Sequence, residues 1–162
     1  MKANFRIGQG YDLHRITAGK GLILGGIHIE CSWQIIAYSD GDVVLHAICD
    51  ALLGAICAGD IGQYFADTDS ENSKRDSRDF LRHCYKLVHD AGYQLANLDV
   101  TIIAQVPKIA PYVVAMRTAI ANELATDIMN VSVKATTNEG VDAIGKKEAI
   151  AVQAVVLLEK SE

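Results

Sequence analysis

Three side chains suited to holding a metal ion lie in two short stretches of the N-terminal third. Asp12 and His14 are two residues apart in Arg6–His14, whose moderate alternation predicts a strand, so both project from one face. His46 lies in Val43–Ala58, a segment apolar nearly all round that reads as a helix buried on most sides. Asp42, His46 and Asp50 recur at i, i+4 and i+8, one narrow polar stripe on that helix. Burying such a group unpaired costs roughly 2–7 kcal/mol, so the stripe must face something polar. Alone, Asp42 would read as a helix cap and His46 as a hydrogen-bonded core histidine; three groups in register ask for a shared partner. Two imidazoles and a carboxylate suit zinc with one coordination position open, the arrangement of catalytic rather than structural sites. Asp50 or Asp42 is placed to orient a ligand histidine. His28, His83 and His89 have no such context and read as surface or packing residues.

A second group of residues suits phosphate. Val133-Lys-Ala-Thr-Thr-Asn-Glu139 leaves a predicted strand with two hydroxyls, an amide, a carboxylate and the nearby Lys134 ammonium. Threonine hydroxyls and turn amides bind phosphate oxygens, and Glu139 could hold a magnesium ion bridging phosphates. The plainer reading is a strand running into a hydroxyl-stabilised turn. Gln105-Val-Pro-Lys108 follows another strand, where backbone groups could meet a base. Asp60-Ile-Gly62 and Phe65-Ala-Asp-Thr-Asp69 add acceptors, although acidic loops are commonly just solvated.

These residues must be positioned by a chain of 162 residues, a length that predicts one domain, 1–162. Half the residues are apolar and 22% charged, which excludes a disordered tail or fibrous repeat. A net charge of −5 argues against nucleic-acid binding, which needs a basic face. No apolar run is long enough to span a bilayer and the N-terminus lacks a signal-peptide pattern, so no membrane partner is expected and the expected location is cytoplasmic. Cys31, Cys49, Cys57 and Cys84 show no metal-binding spacing and are expected to be reduced thiols. Leu22–Leu24 and Ile27–Ile29 flank Gly25-Gly26, a hairpin signal. Ser39 is expected to open a helix running to about Ala58, with Gly59 as terminator. Residues 66–78 read as a surface loop, then a helix capped by Asp76 or Ser77 reaches Ala91. Leu98–Gln105 predicts a strand and Pro111–Leu124 a helix; Val131–Ala135 and Ala149–Leu158 are expected as antiparallel neighbours. The sum is an α+β fold, a mixed, largely antiparallel sheet with helices on one face.

Taken in order, the motifs resemble the 2-C-methyl-D-erythritol 2,4-cyclodiphosphate synthases of non-mevalonate isoprene biosynthesis. The resemblance rests on Arg6-Ile-Gly-Gln-Gly-Tyr-Asp-Leu-His14, Ser39-Asp-Gly-Asp-Val-Val-Leu-His46, Asp50-Ala-Leu-Leu-Gly54 and Gly59-Asp-Ile-Gly62. It continues through Phe65-Ala-Asp-Thr-Asp69, Asp99-Val-Thr-Ile-Ile-Ala-Gln-Val-Pro-Lys108 and Val133-Lys-Ala-Thr-Thr137. It implies a homotrimer with active sites between subunits and a lyase that closes a cyclic diphosphate and releases CMP from a diphosphocytidyl substrate. Asp12, His14 and His46 would be the zinc ligands, and Glu139 would hold magnesium or manganese on the substrate phosphates. Thr136 and Thr137 match phosphate-binding positions, with Thr137 stabilising transition-state charge, and Asn138 replaces a third threonine. Ala104, Gln105, Val106, Pro107, Lys108 and Ile109 match the cytidine site. Ser39, Asp50, Asp60, Gly62, Phe65 and Asp69 match the erythritol phosphate pocket.

Two departures accompany the resemblance. Tyr38 stands where most members carry a histidine that stabilises the transition state; tyrosine donates a hydrogen bond but stays neutral at pH 7. Ala143 and Lys146 stand where the family has an aromatic residue and an arginine lining an axial cavity for isoprenoid diphosphates. Lysine does not reproduce a bidentate arginine, so isoprenoid binding is not carried over. Two other functions fit the same residues. One is a zinc phosphohydrolase using metal-bound water; the other is a diverged trimeric homologue that binds metal or nucleotide without turnover.

Overall fold

The computed structural model describes residues 4–65 and 75–161. Its spine is β1 (Phe5–Ala18), which runs four residues past the expected end at His14 because its period-two pattern persists to the buried Ile16. β2 (Leu22–Leu24) and β3 (Ile27–Ile29) form the expected hairpin, with Gly25 and Gly26 both at positive φ. β4 (Trp33–Ile36), which the sequence pattern does not announce, pairs with the end of β1.

The five-stranded sheet has the order β4-β1-β7-β5-β6, where β5 is Tyr93–Ile103, β6 is Val131–Thr136 and β7 is Ala149–Lys160. β7 runs antiparallel to both β1 and β5, while β6 joins β5 in parallel. Val131–Ala135 and Ala149–Leu158 are therefore not antiparallel neighbours, because β5 lies between them. Burial explains the difference: β7 is covered on both faces at its start and takes the centre, whereas most β6 positions are exposed and suit an edge. The helix between β5 and β6, α4 (Val113–Glu123), supplies the crossover that a parallel pair requires.

α1 (Val43–Ala55) packs on β1 and β7 on one face of the sheet, with α3 (Ser77–Asp90) against it. The helix begins four residues later than expected, since Asp42 rather than Ser39 caps it. It also ends earlier: Cys57 takes the left-handed conformation expected of Gly59, with Ala58 N donating to the Leu53 carbonyl and Cys57 N to that of Gly54. Close approach to the sheet depends on Gly8 and Gly10. A Cβ on either would lie 1.9 Å from a backbone oxygen of α1, that of Ala51 or Ala47 respectively. Ala47, Ala51 and Ala55 thus form a small-residue stripe laid directly on β1.

Met116 and Ile120 of α4 join the same core, so the three long helices share one face, as expected. The single-turn α5 (Asp142–Gly145) packs Ile144 against Ala149, Ala151 and Ile103 at the end of the other face. The rest of that face carries Phe5, Ile7, Tyr11, Leu13 and Val155, with Phe5 60% and Ile7 72% exposed. Among the described residues no helix is long and apolar enough to cross a membrane.

Candidate active site

Asp12 and His14 stand on the helix side of β1, and α1 brings His46 over them. Asp12 Oδ2 lies 3.0 Å from His14 Nδ1 and 3.1 Å from His46 Nδ1. One ligand atom from each residue falls within 4.8 Å of the others. His14 Nδ1 is buried, and its contact with Asp12 lacks hydrogen-bond geometry, so an electron pair is left for another partner. The donor set and the orphaned nitrogen fit a divalent metal such as zinc. Burial pushes the Asp12 carboxyl up, but the two imidazoles outweigh it and hold the group at about 2. Burial likewise pulls His46 down, and is outweighed by Asp12, Asp42 and Asp40, so its pKa is raised. The ionised carboxylate and the proton-retaining imidazole thus stabilise each other.

The polar stripe divides into three separate jobs. Asp42 is fully buried and accepts from Gly25 N, Gly26 N, Val44 N and Leu45 N, so it caps α1 and ties it to the β2–β3 turn. Asp50 accepts from Ile61 N at 2.8 Å and holds α2 (Ile61–Tyr64), while burial raises its pKa. Neither orients a ligand histidine. Ser77 instead meets the ring of His46: its Oγ lies 2.8 Å from His46 Nε2 and donates to Asp40. Sequence spacing carries no signal for this pair, because 37 residues separate Asp40 from Ser77.

Beside the triad opens a cavity of about 200 Å³, lined also by Tyr38, Ser39, Asp50, Ile61, Gly62, Phe65 and Phe80. Ile61 and Phe80 were not foreseen; Phe80 reads in sequence as one more apolar residue of α3, and its ring contacts His46 and Phe65. Tyr38 is 40% exposed at this cavity. Asp60 stands outside the lining and caps α2 by accepting from Gln63 N. His83 meets the rings of Phe65 and Tyr64 and stands outside the metal group. Asp69 lies outside the described residues.

A second cavity, about 440 Å³, is lined by Ala104, Gln105, Val106, Pro107, Lys108, Ile109, Ala110, Ala135, Thr136 and Thr137. Two strand exits, those of β5 and β6, build it. Glu139 and Asn138 follow in the next turn, where Glu139 takes a positive φ of 54° and Asn138 donates to Asp142. A non-glycine residue in that conformation is strained, a feature that clusters at functional sites. Lys134 is committed elsewhere, its ammonium held by Asp99.

The family model of the YgbB family matches residues 5–159. The chain belongs to the YgbB family. Among curated relatives of this family, the 2-C-methyl-D-erythritol 2,4-cyclodiphosphate synthase of Shewanella sediminis is 56% identical over 158 residues, covering 98% of each chain. The enzyme of that name from Photobacterium profundum is 58% identical over 153 residues, 94% of this chain and 98% of its own. The YgbB fold is equally plain in solved structures. A Plasmodium falciparum IspF determined as its CDP complex superposes with a TM-score of 0.88 at 37% identity, covering 99% of this chain and all of that one. The bifunctional IspDF of Campylobacter jejuni gives 0.94 at 37% identity, covering 98% of this chain but 43% of that longer protein.

Proposed function

We propose that this YgbB-family chain is a cyclodiphosphate synthase of isoprene biosynthesis. It converts 4-diphosphocytidyl-2-C-methyl-D-erythritol 2-phosphate to the 2,4-cyclodiphosphate, with release of CMP. The observation that carries this reading is the Asp12, His14 and His46 triad opening on a cavity lined by Tyr38, Ser39, Asp50, Gly62 and Phe65. An oxygen of the 2-phosphate bonds to the β-phosphorus, the bond from β-phosphorus to the bridging oxygen breaks, and CMP leaves with that electron pair. The nucleophile is already an anion, so no side chain need take a proton from it. Catalysis is then mostly alignment and charge compensation. Zinc on Asp12, His14 and His46, with magnesium or manganese on Glu139, would supply the positive charge that polarises the phosphates.

The chain's own residues do the rest. Phe65 and Phe80 wall the cavity against water, and Asp50 fixes the α2 turn that carries Gly62. Ser39 and Tyr38 present hydroxyls to the erythritol phosphate, and Asp60, outside the lining, serves this pocket by capping the α2 turn that carries Gly62. The resemblance assigns Asp69 to the same pocket. Thr136, Thr137 and Asn138 take the diphosphate, and Thr137 is placed to stabilise transition-state charge. Residues 104–109 hold the cytidine, a role supported by the cavity they line. The relative solved as its CDP complex supports the same ligand class here.

The two cavities share no residue, and β7 separates β1, which carries Asp12 and His14, from β5 and β6, whose exits build the second cavity. At about 4.8 Å per strand, β1 and β6 stand about 14 Å apart. A homotrimer that joins one subunit's triad to a neighbour's cytidine pocket resolves this separation. The uncovered apolar face of β1 and β7 supplies a surface for such assembly.

The test is incubation of purified protein with the diphosphocytidyl substrate, zinc and magnesium, followed by phosphorus NMR. Equimolar CMP and cyclic diphosphate are expected. Linear products would show a phosphohydrolase, and absence of turnover with zinc bound would show a binding homologue.

A further inference from the structure

We propose that Asp40 and Ser77 are positioning residues that select which nitrogen of His46 meets the metal, through a directional relay from carboxylate to hydroxyl to imidazole. The inference rests on the metal reading of the triad given above. Asp40 lies in the loop before α1, and Ser77 is the first residue of α3, fully buried. Both Asp40 oxygens are engaged: Oδ2 accepts from Ser77 N at 2.9 Å, and Oδ1 accepts from Asp42 N at 3.1 Å and from the Ser77 hydroxyl.

Proton inventory sets the direction. An ionised carboxylate only accepts, so the single Ser77 hydroxyl proton points to Asp40. The Ser77 oxygen therefore presents an electron pair to His46 Nε2, 2.8 Å away, and that nitrogen must carry the N–H. Without metal, Nδ1 shares a proton with the Asp12 carboxylate 3.1 Å away. A neutral imidazole has one N–H, so once a metal displaces that proton the N–H kept at Nε2 leaves the Nδ1 electron pair as the one free to ligate. Nδ1 is the atom facing Asp12 Oδ2 and the point shared with His14. Ser39 Oγ is a weaker candidate for the same task, at 3.4 Å from Nε2 and already accepting from Gly41 N. Orientation of a ligand histidine through its second nitrogen is a general device of metal sites. Asp40 N also donates to the Arg75 carbonyl, so the clamp fastens the loop bearing Tyr38 and Ser39 to the start of α3.

The experiment measures zinc affinity by competition with a chromophoric chelator, and the visible spectrum of the cobalt-substituted protein, for wild type, Ser77→Ala, Ser77→Thr and Asp40→Asn. Thermal melting of each metal-free protein is recorded alongside. Ser77→Ala keeps the cap at Asp76 and introduces a strong helix former, so its metal-free melting is expected near wild type. Its zinc affinity is expected to fall about 10–100-fold, with an altered cobalt spectrum. Ser77→Thr, which keeps the hydroxyl, is expected to restore both. Asp40→Asn is expected to weaken zinc at least as much, because its amide can donate to Ser77 Oγ. The hydroxyl proton then turns to Nε2 and the ring proton moves to Nδ1. Wild-type affinity and spectrum in Ser77→Ala would overturn the relay, as would losses in all three variants that merely track lower melting. If wild type itself binds no more zinc than His46→Ala, the metal reading of the triad fails first and the relay with it.

Discussion

Gly10→Ala tests whether the metal site depends on contact between α1 and β1 with no side chain between them. The added methyl carbon would sit 1.9 Å from the Ala47 carbonyl oxygen and 2.8 Å from Ala51 N. Real contacts of this kind stay beyond about 3 Å, so helix and strand must part by roughly 1 Å. Ala47 adjoins His46, and Gly10 is two residues from Asp12. The 3.1 Å gap between His46 Nδ1 and Asp12 Oδ2 would open to roughly 4 Å. Metal bonds of ~2.0–2.2 Å tolerate deviations of only ~0.2 Å. Zinc affinity should fall about 100-fold, some 2.7 kcal/mol, beyond the ~1–3 kcal/mol of stability lost to overpacking.

Gly8→Ala is the internal control. Its methyl carbon makes the same 1.9 Å overlap, but with Ala51, one helical turn beyond Ala47 and so farther from His46. Stability of the two metal-free variants, measured by urea denaturation, should fall comparably. Zinc titration should separate them, with Gly10→Ala much the weaker binder. Wild-type zinc affinity in Gly10→Ala, or equal losses in both variants, would refute the argument that this close contact sets the ligand geometry.

Asp42→Ala removes the acceptor of four backbone N–H groups, each about 1 kcal/mol or more when left buried and unpaired. A loss of about 4 kcal/mol and a melting temperature lower by about 10 °C are expected, and a shift of only a degree or two would contradict the cap. Zinc must displace a proton from His46, whose pKa is raised above its ordinary value, whereas Asp12 at about 2 is already ionised. Affinity should therefore climb as pH rises through the histidine range and level off above the raised folded His46 value, with proton uptake by calorimetry buffers as the readout; a flat profile would contradict it. Tyr38→His is expected to raise turnover in a coupled CMP-release assay, because it returns an ionisable group to the cavity, and an unchanged or lower rate would sink that idea. Ile7→Lys charges the uncovered sheet face opposite Asp12 and His14. Sedimentation should show dissociation to a protein that keeps zinc affinity and loses turnover, and a fully active monomer would dispose of the split-site proposal.

Local patterns made much of this legible from the residues alone. Alternation placed Asp12 and His14 on one face of β1, and the i, i+4, i+8 stripe marked α1 as more than a core helix. The stripe's common purpose did not survive: Asp42 caps, His46 faces the triad, and Asp50 holds α2. A three-residue pattern cannot distinguish these roles, because each depends on what folds over the helix from elsewhere. Ser77 and Asp40 show the same limit, as does the order of β5, β6 and β7, which follows from burial across the sheet rather than from any strand's own period. Gly8 and Gly10 stood in a motif that marked the family, but their physical role needed the opposing alanines of α1.

The charge inventory of the two cavities shows what a bound metal would contribute in so acidic a chain. Around the triad stand Asp12 and Asp50 with two histidines that a metal would engage, and the only cation lining the second cavity is Lys108. Lys134, the other cation on the phosphate-bearing strand, is neutralised by Asp99. A substrate carrying a diphosphate and a third phosphate would meet net repulsion from these side chains. Divalent ions held by the triad and by Glu139, as proposed above, would reverse that sign and supply the charge compensation that phosphoryl transfer needs. Tyr38, which lines the first cavity, brings a hydroxyl there in place of the histidine that the resemblance leads one to expect.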